Sequence, residues 1–151
     1  MNYDIFYMKK AINEAKKALK YDEVPVGAVI VKDGKIIGRG YNKREILNLS
    51  TAHAEINAIN KACKKTGAWR LSGCTLYVTL EPCPMCGGAV INSRIDRVVF
   101  GAFEPKSGSF GTAVDLSKVK NYNHHPEITG GVLENECASL LSDFFKKLRI
   151  R

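Results

Sequence analysis

Residues 75–100 read TLYVTLEPCPMCGGAVINSRIDRVVF. Thr75 to Leu80 is rich in β-branched and aromatic residues and reads as a strand. Pro84 to Asn92 reads as a helix, with Pro84 in the first turn, where its missing N–H leaves no helical bond unmade. Val98 to Phe100 is a further short strand. Working outward, Ala52 to Lys65 reads as a buried helix: Ser50-Thr51 offers a cap, Ala52, Ile56, Ile59 and Cys63 line one face, and Gly67 follows as a stop signal. Upstream of it, Val26 to Val31 is a continuous apolar run and Lys35 to Tyr41 a second strand-like stretch. The Asp33-Gly34 dipeptide between them favours a tight turn, so these two strands are expected to pair antiparallel. Strand, helix, strand, helix, strand in this order implies an α/β fold with parallel crossover units.

The flanks complete the outline. From Asp4 to Lys20, Met8, Ala11, Ile12, Ala15, Ala18 and Leu19 recur at three- and four-residue spacing while Lys9, Lys10, Lys16 and Lys17 fall elsewhere, giving an amphipathic helix with a basic outer face. Phe103 to Tyr122 is rich in Gly, Ser and Lys and is expected to be a mobile or substrate-facing segment. An edge strand is expected near Ile128 to Leu133. The last helix carries Cys137, Leu140, Leu141, Phe144, Phe145 and Leu148 at helical spacing, with basic residues at its end.

A chain of 151 residues, 45% hydrophobic and 25% charged, has the composition of a globular protein, and residues 1–151 are expected to form a single domain. No apolar run is long enough to span a bilayer, and residues 1–10 do not build a signal-peptide core, so no membrane contact and a cytoplasmic location are expected. Five cysteines, an odd number, argue for thiols or metal ligation rather than a disulfide framework. Lys and Arg outnumber Asp and Glu by 23 to 15, a balance of +8 that would attract a polyanion such as nucleic acid.

Two segments carry the chemistry: Thr51-Ala52-His53-Ala54-Glu55 and Glu81-Pro82-Cys83-Pro84-Met85-Cys86, each at an expected helix start. A Cys-x-x-Cys pair there sets two sulfurs about one turn apart, and the positive end of the helix dipole favours the thiolates that bind Zn2+. His53 would complete a set of three ligands. Three protein ligands leave a position for water, as in catalytic zinc sites, whereas structural sites close with a fourth Cys or His. Glu55, two residues from His53, can reach that water and carry its proton to a ring nitrogen and a leaving amine, which is hydrolytic deamination. Glu81 is expected to orient neighbouring backbone N–H groups, and Cys63, Cys74 and Cys137 to serve as small buried residues. Asn42 also fits a plain strand end, since Asn favours turns.

These segments match the H-x-E and P-C-x-x-C signature of zinc nucleobase deaminases. The chain resembles the bacterial tRNA-specific adenosine deaminases along nearly its whole length, through Glu23-Val24-Pro25-Val26-Gly27-Ala28, Gly40-Tyr41-Asn42, Thr51 to Glu55, Thr75 to Cys86, Ser93-Arg94-Ile95 and Leu140 to Phe145. The resemblance implies a three-layer α/β/α domain with a central mixed five-stranded sheet of the cytidine deaminase-like type. It implies a homodimer with one zinc per chain, converting adenosine to inosine at the wobble position of a tRNA anticodon stem-loop. It further implies that Asn42 contacts the flipped nucleoside, that Ala54 contributes a backbone contact to the base, and that Phe144 and Phe145 lie near the anticodon loop; the apolar stripe of the last helix itself puts at least one of these two rings in the core, with Phe145 the better exposed candidate. Phe103-Glu104 departs from the family, in which many members carry Asp at the second position. Two other functions fit the signature: deamination of a free base or nucleoside of guanine or cytidine type, and a non-catalytic zinc-stabilised RNA-binding subunit.

Overall fold

The computed structural model of the protein describes residues 1–150. Among them, five strands form one sheet: β1 (Gly27–Lys32), β2 (Lys35–Tyr41), β3 (Thr75–Leu80), β4 (Arg97–Ala102) and β5 (Glu127–Gly130), in the spatial order β2-β1-β3-β4-β5. β1 runs antiparallel to β2 and β3, while β3, β4 and β5 are parallel to one another. The expected mixed five-stranded sheet is therefore present, and the Thr75–Phe100 stretch is its parallel crossover. β1 is a continuous apolar run because the sheet is covered on both sides, so neither face of a central strand meets water.

The strand alternation sorts the core into two layers. Ala28, Ile30, Leu76, Val78, Val98 and Phe100 face α3 (Ala54–Thr66) and α4 (Pro84–Ser93). Val29, Val31, Tyr77 and Val99 face the opposite way, onto α1 (Tyr3–Ala18) and Cys137 of α5 (Glu134–Ile150). The result is three layers, α/β/α, with a one-turn helix α2 (Arg44–Leu47) between β2 and α3. No helix of the described residues is long and apolar enough to cross a membrane.

Several boundaries differ from the sequence expectation, each for a local reason. The second long helix starts at Ala54 and is capped by the backbone of His53, with no side-chain bond from Ser50 or Thr51. Residues 49–53 are instead spent on turns, in which Ala52 N bonds Leu49 O, His53 N bonds Thr51 O, and Ala52 O accepts from Lys43 N. Its buried face is Ala54, Glu55, Ala58, Ile59 and Ala62, whereas Ile56 and Cys63 are only half-buried. The cause lies in β2, where an added Cβ at Gly38 would stand 2.4 Å from Ala58 O and one at Gly40 2.4 Å from Ala54 O. Glycines on the strand and alanines on the helix let the two backbones nearly touch, which fixes where α3 begins. The first helix ends at Ala18 and passes into a 3₁₀ turn, Leu19–Tyr21, so Leu19 is 41% exposed rather than part of the apolar stripe. β5 stops at Gly130 because Gly131 (φ 90°) and Leu133 (φ 54°) turn the chain into α5. Along α5 only Cys137 and Phe144 are buried, and Leu148 is exposed.

Candidate active site

The starts of α3 and α4 meet at one end of the sheet. His53 is the N-cap of α3 and Cys83 the N-cap of α4, both in extended backbone conformation, and Cys86 lies in the first turn of α4. His53 Nδ1 stands 3.6 Å from Cys83 Sγ and 3.5 Å from Cys86 Sγ. The three donor atoms lie within 4.8 Å of one another, a group able to hold a metal ion.

The electrostatics suit a cation. The Cys83 thiol is drawn down to about 4, chiefly by the hydrogen bond from Cys86 and also by that from His53. Cys86 is pushed up by its hydrogen bond to Cys83 and by burial, while the bond to Cys83 raises His53. Glu55, in the first turn of α3, is 4% exposed, and burial pushes its carboxyl up to about 7. A buried carboxyl within reach of donors that favour a positive charge is the arrangement a proton-shuttling group requires.

These groups open onto a cavity of about 170 Å³. His53, Ala54, Glu55 and Cys83 line it together with apolar Val24, Val26 and Leu80 and with polar Asn42, Arg44, Glu104 and Ser107. Its size is below that of pockets enclosing drug-sized ligands, so it suits one flat ring system rather than a whole nucleotide. Asn42 lies just past β2 and is 8% exposed. Its Nδ2 donates to Val24 O (3.3 Å) and its Oδ1 accepts from Arg44 N (3.2 Å). It both ends the strand and faces the cavity, which leaves an amide hydrogen and an oxygen lone pair for a ligand. Phe144 and Phe145 pack edge to face at 5.3 Å, with Phe144 8% and Phe145 41% exposed, and neither lines the cavity.

Two buried acids hold the cavity walls. Glu23, 1% exposed, accepts from Glu45 N (3.1 Å) and Ile46 N (2.8 Å), capping the short helix that starts with Arg44. Glu81, 2% exposed, takes four bonds from the 104–112 loop: Oε1 from Glu104 N (3.2 Å) and Thr112 Oγ1 (2.5 Å), Oε2 from Phe110 N (3.0 Å) and Thr112 N (3.2 Å). Ser109 Oγ adds bonds to Pro82 O (2.8 Å) and Cys83 O (3.1 Å). Of the two expectations for the 103–122 segment, it does face the cavity at Glu104 and Ser107, whereas mobility does not describe residues 104–112. This part of it is pinned, with Ser109 and Phe110 buried, because Glu81 supplies the acceptors that its turn backbone needs. His124 and His125 bond Ile95 O (2.6 Å) and Val119 O (2.9 Å) through Nε2 and do not line the cavity. The sequence reading did not single out Arg44 or Ser107, which carry no motif. Glu23 stood inside a quoted segment, but nothing there marked it as a cap.

A sequence model of the MafB19-like deaminases matches residues 2–149. A tRNA-specific adenosine deaminase of Bacillus subtilis (strain 168) is 56% identical over 149 residues, covering 99% of this chain and 92% of that protein. A solved chain from a study of A-to-I editing by tRNA:A34 deaminases at the wobble position of transfer RNA superposes with a TM-score of 0.87. It is 44% identical over 90% of this chain and 99% of its own length. A guanine deaminase from Nitrosomonas europaea shares the fold more distantly, with a TM-score of 0.76 and 26% identity over 91% of this chain and 81% of that one. With a family match over nearly all its residues and such identity to those enzymes, this chain belongs to the tRNA-specific adenosine deaminase family.

Proposed function

We propose that the protein deaminates adenosine to inosine at the wobble position of a tRNA anticodon, acting as one domain over residues 1–151. The observation that carries this reading is the buried Glu55 carboxyl beside the open His53–Cys83–Cys86 group in a ring-sized cavity.

The donor set fits zinc. With bonds of roughly 2.3 Å to sulfur and 2.1 Å to nitrogen, tetrahedral S and N ligands stand about 3.6 Å apart, and the two S–N separations here are 3.6 and 3.5 Å. Zinc held by His53 Nδ1, Cys83 Sγ and Cys86 Sγ supplies Lewis acidity for the hydrolysis of a C–N bond. Glu55 takes a proton from the attacking water, delivers it to the purine ring nitrogen beside C6, and carries the second proton to the departing amine. Adenosine and water thus become inosine and ammonia. Asn42 and the Ala54 backbone hold the flipped nucleoside, and Phe144 and Phe145 serve the anticodon loop.

The +8 charge supports RNA binding, and a tRNA substrate is the reason to place the protein in the cytoplasm. A homodimer is supported by the outer side of α4, where Met85 is 37% exposed, Tyr122 is 42% exposed across a groove from Gly88, and Trp69, 60% exposed, lies 6.0 Å from Arg94. Exposed aromatic, Met and Arg side chains in one patch have the composition of a protein interface. The test is to incubate the protein with total bacterial tRNA and sequence the products. Adenosine-to-inosine changes at anticodon wobble positions are expected. Turnover of free guanine or cytidine with none on an anticodon stem-loop would replace this reading with free-base deamination. Binding without turnover of either would replace it with a non-catalytic RNA-binding subunit.

A further inference from the structure

α1 presents lysines on its outer side that neither the core nor the catalytic group uses. Lys9, Lys16, Lys17 and Lys20 are exposed and Lys10 is half-buried. At 100° per residue they fall within about a third of the helix circumference, opposite Met8, Ala11, Ala15 and Ala18. Lys9 and Lys16, and likewise Lys10 and Lys17, are seven residues apart, so each pair stands almost in line about 10.5 Å apart along the axis. The acids on this helix are committed, Asp4 to Arg97 and Glu14 to Lys17. Glu136 and Asp143 of α5 border the groove beside Lys16.

This row leads to the cavity. Past Lys20, the ring of Tyr21 stacks parallel to that of Tyr41 at 6.5 Å, and Lys43 Nζ lies 4.8 Å over the Tyr41 ring. Tyr41 adjoins Asn42 in the cavity wall, and Val24, just beyond the 3₁₀ turn, is in the wall as well. Lysines therefore recur along α1 over about 16 Å from Lys9 to Lys20, counted at 1.5 Å per residue, and Tyr21, Tyr41 and Lys43 continue from that end toward the cavity. RNA carries phosphates at regular intervals, and displacing their counterions drives binding. Resting on the reading of the cavity as the site of the target adenosine, we propose that the α1 lysine row docks backbone phosphates of the substrate's double-helical RNA outside the anticodon loop.

The test compares the wild type with a Lys9→Gln, Lys10→Gln, Lys16→Gln triple variant and with a control triple on α3, Lys61→Gln, Lys64→Gln, Lys65→Gln, whose lysines are all exposed. Two measurements are made: editing of full-length tRNA, and binding of a plain RNA duplex with no loop over a salt series. For the α1 triple, the KM for tRNA rises about tenfold with kcat unchanged. The slope of log affinity for the duplex against log salt becomes shallower by about 2.7, at roughly 0.9 for each of the three phosphates no longer neutralised. The control triple leaves both near wild type. An unchanged KM and slope in the α1 triple, an equal loss in both triples, or a fall in kcat alone overturns the proposal. Duplex binding is read without editing, so a wild type that makes no inosine counts against the proposed function and leaves this docking test intact.

Discussion

Replacing Glu81 with glutamine tests how the cavity wall is held. The carboxylate accepts four hydrogen bonds, two on each oxygen, from a loop in which Phe110 is buried, Glu104 half-buried and Thr112 exposed. Glutamine keeps one acceptor oxygen and turns the other position into a donor. The least costly arrangement leaves the oxygen facing Phe110 N and Thr112 N and the new NH₂ facing Thr112 Oγ1, which can rotate and accept. Glu104 N is then left facing a donor. An orphaned buried donor costs about 1–3 kcal/mol, the half-buried Glu104 N falling at the low end, and about 1 kcal/mol moves the midpoint of a chain this size by roughly 2–4 °C. Glu81→Gln should therefore lower Tm by about 2–4 °C in differential scanning calorimetry, and Glu81→Ala, which abandons all four donors including the buried Phe110 N, by more. Because Glu104 and Ser107 of the same loop line the cavity, the glutamine variant should also raise KM for tRNA while its metal content stays at that of the wild type. A Glu81→Gln protein with wild-type Tm and KM would show that the loop holds its shape without this acid.

Glu55→Ala should keep the metal, by elemental analysis, and the wild-type Tm, yet lose at least about a hundredfold in inosine formation; unchanged turnover would remove Glu55 from proton transfer. Cys83→Ala should drop bound zinc from about one per chain to near zero in dilute solution, since it removes one of three protein ligands; full occupancy would show the ligand set to be wrong. Asp4 accepts two hydrogen bonds from Arg97, both at 2.8 Å, and these hold its carboxyl below the usual range. A depressed folded-state value contributes stability above the unfolded value of about 3.9 and loses it as pH falls through the folded one. Urea unfolding of Asp4→Asn against wild type should thus show a gap at pH 7 that closes below about pH 4; a gap constant from pH 7 to 3 would refute the pairing.

What the sequence made legible depended on how local the signal was. Strand alternation, the Asp33-Gly34 turn and the two ligand segments are short-range patterns, so the order of elements and the His53, Cys83, Cys86 and Glu55 group could be read directly. The start of α3 could not, because it is set by Gly38 and Gly40 on another strand, and a cap motif at Ser50-Thr51 competes poorly with turns that already use those backbones. The grip of Glu81 on the 104–112 loop spans more than twenty residues of sequence, and Gly-rich composition alone looks like mobility. Phe144 and Phe145 share a helix stripe, and the expectation that Phe145 is the better exposed of the two holds, with Phe144 buried.

The two buried acids at the cavity rim have an evolutionary consequence. The groups that would perform the hydrolysis sit at the starts of two helices, whereas the surfaces that would judge the incoming ring sit on two short segments, each tied by a buried carboxylate, Glu23 or Glu81. Away from Ser109, which also bonds the start of α4, segments tied in this way can exchange residues, lengthen or tilt without disturbing the helix starts behind them. Such a scaffold can diversify in appetite while its chemistry stands still, and a fold shared with a guanine deaminase at 26% identity is what that division of labour would leave behind.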